Sequence, residues 1–222
     1  MELLPKDILI KLAIDLDLPD IIKWCSINKR FDELTCKNDI FWMNKFYHDY
    51  GDYSKVPELT WTEFYKYITV TKPNDLLWKG VEENILSYVV VALKRGADIE
   101  NPRTFEYFKY RSLSYASKKG HLEVVKYLIE QGADVRAGND YALKLASENG
   151  YLEVVKYLVK QGADVRAEDD FALGFASSNG HLEVVKYLVK QGADVNDEWA
   201  LKWAKRHEHF DVVDYLESFH NK

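Results

Sequence analysis

Six histidines and two cysteines are the side chains most able to bind a metal or move a proton. His207 and His209 stand two residues apart, on different faces if helical, with no cysteine or further histidine nearby in the chain. A zinc site needs three or four such ligands converging on one point. His121 and His181 hold corresponding places in near-copies of one segment, and Tyr151 takes that place in the copy between them. A position that accepts tyrosine as readily as histidine calls for a packed ring or a local hydrogen bond, not a base. Cys25 and Cys36 match no zinc spacing and are expected to be reduced, partly buried thiols. The glycines stand singly and cradle no phosphate, and the Ser, Cys and His residues form no nucleophile motif. These residues predict no catalytic centre, no metal and no cofactor, hence a protein that is not an enzyme.

The totals narrow the classes further. At 47% hydrophobic and 14% aromatic, 222 residues can bury a core. Thirty basic against 36 acidic residues leave a net charge of -6, and no long basic run is present, which argues against nucleic acid as a partner. No apolar run reaches membrane-spanning length, and "MELLPKDILI" lacks the basic start and cleavage pattern of a signal peptide. With no Asn-x-Ser/Thr sequon either, the chain is expected to be a cytoplasmic monomer away from membranes.

The elements that position these residues repeat. "GHLEVVKYLIEQGADVRA" begins at Gly120, "GYLEVVKYLVKQGADVRA" at Gly150 and "GHLEVVKYLVKQGADV" at Gly180. A fixed period of this kind outranks local propensity. Each copy divides into two helices. The first, Tyr141 to Glu148 for example, has Asp140 placed as an N-cap and Gly150 just past its end. The second runs from Leu152 to Gly162, with apolar or aromatic residues at 152, 154, 155, 157, 158 and 159. That arc is too wide for one neighbour and suits a helix sandwiched between two units, leaving Glu153, Lys156 and Lys160 in solvent. Degenerate copies extend the series upstream ("LWKGVEENILSYVVVALKRGAD") and downstream ("WALKWAKRHEHFDVVDYLESF"). The expected fold is all-α, a stack of five helix pairs with approximate repeats 73–107, 108–137, 138–167, 168–197 and 198–222. The long connection "IENPRTFEYFKYR" should bulge from it.

The motif G-H-L-E-V-V-K-Y-L with G-A-D-V resembles the ankyrin repeat over about two thirds of the chain. The usual Thr-Pro-Leu-His start is replaced by "YALK", "FALG" and "WALK", and the period is 30 where about 33 is common. The resemblance implies short β-hairpin fingers, or none. Tyr141, Phe171 and Trp199 hold the position of that Thr; they are expected to plug space left by the short fingers, the alternative being a recognition ladder.

Residues 1–50 differ in texture. Pro5 and Pro19 open two helices, the first with Ile8, Leu9, Leu12 and Leu16 on one stripe and the second with Ile21, Ile22 and Cys25. "NDIFWMNKFYHDYG" makes a further helix capped by Asn38 and closed by Gly51. Leu4-Pro5, that stripe, "LDLPDII", Asn28 to Phe31 and Phe41-Trp42 together resemble an F-box. The bland alternative is a helical cap for the stack. Residues 51–72 form a helical connector, with a capping box at Thr60 and Glu63, and 73–222 form the repeat domain.

The two resemblances imply a substrate-recruiting protein. Leu4, Pro5, Ile8, Leu9 and Leu12 would dock on the Skp-type adaptor of a cullin ubiquitin ligase, and the repeats would hold an unidentified protein target. The combination is similar to proteins of large cytoplasmic DNA viruses, which implies the host cytoplasm. A plain ankyrin binding or decoy protein is the alternative. Second helices are nearly constant between copies, whereas the first helices vary at Ser114, Lys144 and Gly174, at Lys118, Glu148 and Ser178, and at Lys119, Asn149 and Asn179. The first two sets lie four apart, on one helical face. With Lys202 and Arg206 these residues are the expected target site on the concave face, and the connection around Phe105 and Tyr107 is the fallback.

Overall fold

A computed structural model describes residues 10–11, 13–16, 18–27, 29–51, 59–101, 103–105, 108–196 and 198–220. Leu4, Pro5, Ile8, Leu9 and Leu12, the expected adaptor contacts, lie outside the described residues, as does Tyr107. The chain divides into two compact units, Met1–Gly80 with Ile85–Asp98, and Val81–Asn84 with Ile99–Lys222. No helix among the described residues is long and apolar enough to cross a membrane.

The first unit contains α1 (Leu18–Ile27), α2 (Lys29–Leu34), α3 (Asp39–Tyr50), α4 (Trp61–Val70), most of α5 (Pro73–Glu83) and α6 (Leu86–Lys94). The Asn38 side chain accepts from the amides of Ile40 and Phe41 at 3.0 and 3.3 Å and so starts α3. Thr60 and Glu63 form the expected capping box on α4. Between α3 and α4 the core is aromatic: Phe41, Trp42, Phe46, Phe64 and Tyr65 are buried, with Ile68 beside them. Phe41-Trp42, part of the F-box-like pattern, is therefore internal packing. The buried Lys45 ammonium donates to the Ile14 carbonyl at 2.7 Å and to Asp49 at 2.9 Å, and the Tyr65 hydroxyl donates to the same carboxylate. Arg95 donates to the carbonyls of Ile68, Thr69 and Thr71, placing a cation at the negative end of α4.

The structure corrects the expectation for the cysteines. Cys25 on α1 and Cys36, in the turn after α2, are joined as a disulfide across 6.3 Å between Cα atoms. The turn Thr35–Lys37 folds back on α1, a proximity that a separation of 11 residues does not announce. Asp32 lies within 4.8 Å of both sulfurs but is paired with Lys37.

The second unit is the expected stack. Its helix pairs are α7 (Ser112–Lys119) with α8 (Leu122–Glu130), α9 (Ala137–Glu148) with α10 (Leu152–Lys160), α11 (Ala167–Ser178) with α12 (Leu182–Lys190), and α13 (Glu198–Arg206) with α14 (Phe210–His220); these are repeats two to five. First helices of successive repeats pack more closely than second helices do, so the stack curves toward the first-helix row. The long connection forms one small antiparallel hairpin, β1 (Arg103–Phe105) with β2 (Phe108–Tyr110), where the bulge was expected.

The later connections replace a hairpin with a left-handed turn. Gly138, Asn139 and Asp140 have φ of 65°, 57° and 60°, and Glu168, Asp169 and Asp170 repeat this at 52°, 56° and 62°. Only Gly138 adopts the region without a Cβ penalty. The turns are held by Asp140 and Asp170, each 3% exposed. Asp140 was expected to cap its own helix. Its carboxylate instead accepts from the Asp164 amide of the next repeat at 2.8 Å and from the Arg136 Nε at 3.2 Å. Asp170 treats Asp194 and Arg166 in the same way, at 3.1 and 3.0 Å. A buried carboxylate needs such donors, and here they come from both sides of a repeat joint.

Candidate functional site

The first-helix row is built outward from these joints. Three of its helices, α7, α9 and α11, end at glycines in the left-handed region, while α13 ends at Glu208 with φ 62°. Gly150 shows what glycine provides. At φ 75° a side chain would be strained, and a Cβ there would also lie 2.6 Å from His181 Nδ1. The His181 Nε2 donates to the Glu148 carbonyl at 3.0 Å, and His209 Nε2 donates to Ser178 O at 3.0 Å. These rings clasp the exposed carbonyl end of the preceding first helix, which is the local hydrogen bond expected at the His121 and His181 position. His121 opens the series without so well formed a bond. Burial first, then Lys119, lowers its pKa, opposed by the Glu82 backbone.

Two expected target residues are internal. Ser114 is 5% exposed and exchanges hydrogen bonds with the Arg111 backbone. Gly174 is buried beneath Trp199, whose indole would lie 2.8 Å from a Cβ; glycine stands there to admit the ring. Neither is available to a partner, and variation at this position reflects what the next repeat packs on it.

The remaining nine reach the surface to different degrees. Asn149 and Asn179 are exposed but donate to Leu145 and Phe175 carbonyls of their own helices, at 2.8 and 2.9 Å. Ser178 Oγ meets His207 Nδ1 at 3.1 Å. Lys118 and Glu148 are half-buried, whereas Lys119, Lys202 and Arg206 are exposed. The Lys144 Nζ lies 4.9 and 4.8 Å from the ring centroids of Phe171 and Phe175 and 5.5 Å from that of Tyr141. Arg206 lies 5.1 Å from the Trp203 ring.

The rings between these cations form a continuous row. Phe171 stacks on Trp199 at 5.5 Å, Trp199 meets Trp203 edge-on at 5.4 Å, and Trp203 stacks on His207 at 5.3 Å. Tyr141 and Phe171 are half-buried and Trp199 is 40% exposed. Phe171 and Trp199 pack into their joints, as expected, and leave edges on the surface, whereas Tyr141 does not close its own joint. Phe175 and Trp203 were not singled out from the sequence. They occupy the position of Leu145, and alignment of the first helices alone would have found them. One joint stays open. Between repeats two and three a pocket of about 110 Å³ is lined by Arg111, Leu113, Ser114 and Tyr141 among others. In the next joint Lys144 replaces Ser114 and the pocket falls to about 10 Å³.

Comparison with known families agrees with this geometry. The family model described as ankyrin repeats (three copies) matches residues 79–169 and 143–221. The chain belongs to the ankyrin-repeat family, and its stack is a protein–protein interaction module. No curated protein matches the chain.

Proposed function

We propose that the protein is an adaptor that holds a protein target on its first-helix row and docks through its N-terminal helices on the Skp-type adaptor of a cullin ubiquitin ligase. The observation that carries the target site is the difference between the two helix rows. On the second helices Glu123, Glu153 and Glu183 are paired with Lys126, Lys156 and Lys186 at 2.7–2.8 Å. The first-helix row instead offers exposed cations and ring edges. Lys119, Lys202 and Arg206 are exposed on it, with Lys144 and Glu148 half-buried beside them. Exposed charges and ring edges gathered on one face are what a partner surface can meet.

Docking on the ligase adaptor rests on the F-box-like pattern of the sequence. It is supported by α1, which keeps Ile21 buried but leaves Ile22 51% exposed. On this reading the target is a host protein met in the cytoplasm. Co-expression with a Skp-type adaptor tests it: the wild type should copurify, and the double substitution Leu4→Ala and Pro5→Ala should not, while target binding survives. A wild type that captures no adaptor leaves a plain ankyrin binding protein whose N-terminal helices only cap.

A further inference from the structure

We propose that the segment read by the first-helix row is an extended acidic peptide, with carboxylates at multiples of about three residues and an apolar residue opposite repeat four. The proposal rests on that row being the target site. Among the described side chains of 112–119, 141–148, 171–178 and 199–206, Glu148 is the one carboxylate. Lys205 in this row is paired with Glu217. Lys119, Lys144, Lys202 and Arg206 enter no ion pair among the described residues. Elsewhere in the stack Arg136 and Arg166 hold the aspartates of the turns. Lys160 and Lys190, at the ends of second helices, enter no ion pair among the described residues either, but each stands singly. In a chain of net charge -6, the first-helix row brings four such cations onto one face. The rings beside Lys144 and Arg206 favour a cation without neutralising it, so the charge remains available to a carboxylate.

Spacing sets the pattern. Packed helices lie about 8–10 Å apart and an extended chain advances about 3.3 Å per residue, so one repeat corresponds to about three peptide residues. Lys119 and Lys144 belong to successive repeats, and Lys202 and Arg206 lie two repeats beyond Lys144. Residues 171–178 of repeat four carry no charge and present Phe171 and Phe175 beside Trp199. The row therefore reads acid, acid, apolar, acid. A nucleic acid would need an unbroken basic path, whereas this one is interrupted, and Glu168 and Asp169 stand exposed at the turn into repeat four.

The test uses the full chain and a fluorescein-labelled peptide with Glu at its first, fourth and tenth positions, Leu at its seventh, and Gly or Ser elsewhere. Anisotropy should show binding that weakens between about 50 and 300 mM NaCl. Lys144→Glu and Arg206→Glu, checked for unchanged helicity and Tm, should each weaken it roughly threefold or more, and Lys190→Glu on the second-helix row should not. Equal binding of a peptide with the four residues clustered would overturn the spacing. No binding, or tighter binding of a thymidine oligonucleotide, would overturn the acidic-peptide assignment. If a Lys-bearing peptide binds instead and the same two variants abolish it, the face stands and the partner's charge is wrong. If the acidic peptide binds equally to all variants, the face itself is wrong.

Discussion

Lys45 in the N-terminal unit and Asp140 in the stack are both charged and both 3% exposed, yet they are secured differently. Lys45 has a single set of partners, the Ile14 carbonyl and Asp49, an arrangement not repeated among the described residues. Asp140 has a counterpart in Asp170, with the same amide and arginine partners one repeat later. The first unit concentrates its stability in contacts that occur once, among them the Phe41, Trp42 and Phe46 cluster, the disulfide and Arg95. The stack distributes it over joints of similar strength, as repeat architectures do. One residue can therefore undo the first unit, whereas a stack joint can be weakened or strengthened in steps.

The largest test of that contrast is Trp42→Ala. Trp42 is fully buried, and truncating a buried tryptophan costs about 3–5 kcal/mol. Hydrogen exchange should show amides of 41–50 and 61–68 losing protection while those of 152–160 keep theirs. Equal loss in both segments would break the comparison. Next in size is the disulfide. Closing a loop of this length contributes about 2–4 kcal/mol, so Cys25→Ser should lower the denaturation midpoint of the first unit by a corresponding amount. Mass spectrometry after alkylation without reductant should find no labelled cysteine. Labelling would return both residues to free thiols.

In the stack, Asp170→Ala leaves the Asp194 amide without its acceptor and should cost about 1–3 kcal/mol. Asp170→Asn keeps an acceptor and should cost less. Burial holds the Asp170 carboxyl above its ordinary 3.8, against the pull of the Asp194 backbone and Arg166. The folded state therefore binds that proton more tightly, and the associated stability, full below pH 3.8, is lost as pH rises through the raised value. The stability of wild type relative to Asp170→Asn should fall over that window, and urea titrations at several pH values measure it. Smallest, and opposite in sign, is Tyr151→His. It supplies the clasp that Tyr151 cannot make, toward the Lys118 carbonyl, and should stabilise the stack by about 0.5–1.5 kcal/mol. No gain in Tm would mean the ring, not its nitrogen, holds the joint.

The sequence made the stack legible because Gly132, Gly162 and Gly192 recur at a fixed interval and each marks the same helix end. It hid His209 as a member of the clasp series, because Leu201 follows Leu173 by two residues fewer than the repeat predicts. That shift moved the histidine out of register and beside His207. Variation at Ser114 and Gly174 looked like a reading surface, since burial at Gly174 is decided by Trp199 of the following repeat, 25 residues downstream. The left-handed turns were illegible for another reason: three successive residues other than glycine, Glu168, Asp169 and Asp170, enter that region, and the contact that anchors Asp170 belongs to the following repeat. Pairing of Cys25 with Cys36 likewise depends on how α1 and α2 fold together, which spacing does not encode.

The left-handed turns also make the protein editable by whole modules. Because the chain passes from Ala137 into Gly138 and from Ala167 into Glu168 with matching backbone geometry, excising 138–167 would join Ala137 to Glu168 across an equivalent turn. His181 would then sit over Gly120 as it now sits over Gly150, and Asp134 would precede the left-handed turn that Asp164 precedes now. Gene duplication or deletion in steps of thirty residues could thus lengthen or shorten the row without redesigning a joint. The reach of this protein along a partner would change in discrete increments while its fold stayed the same.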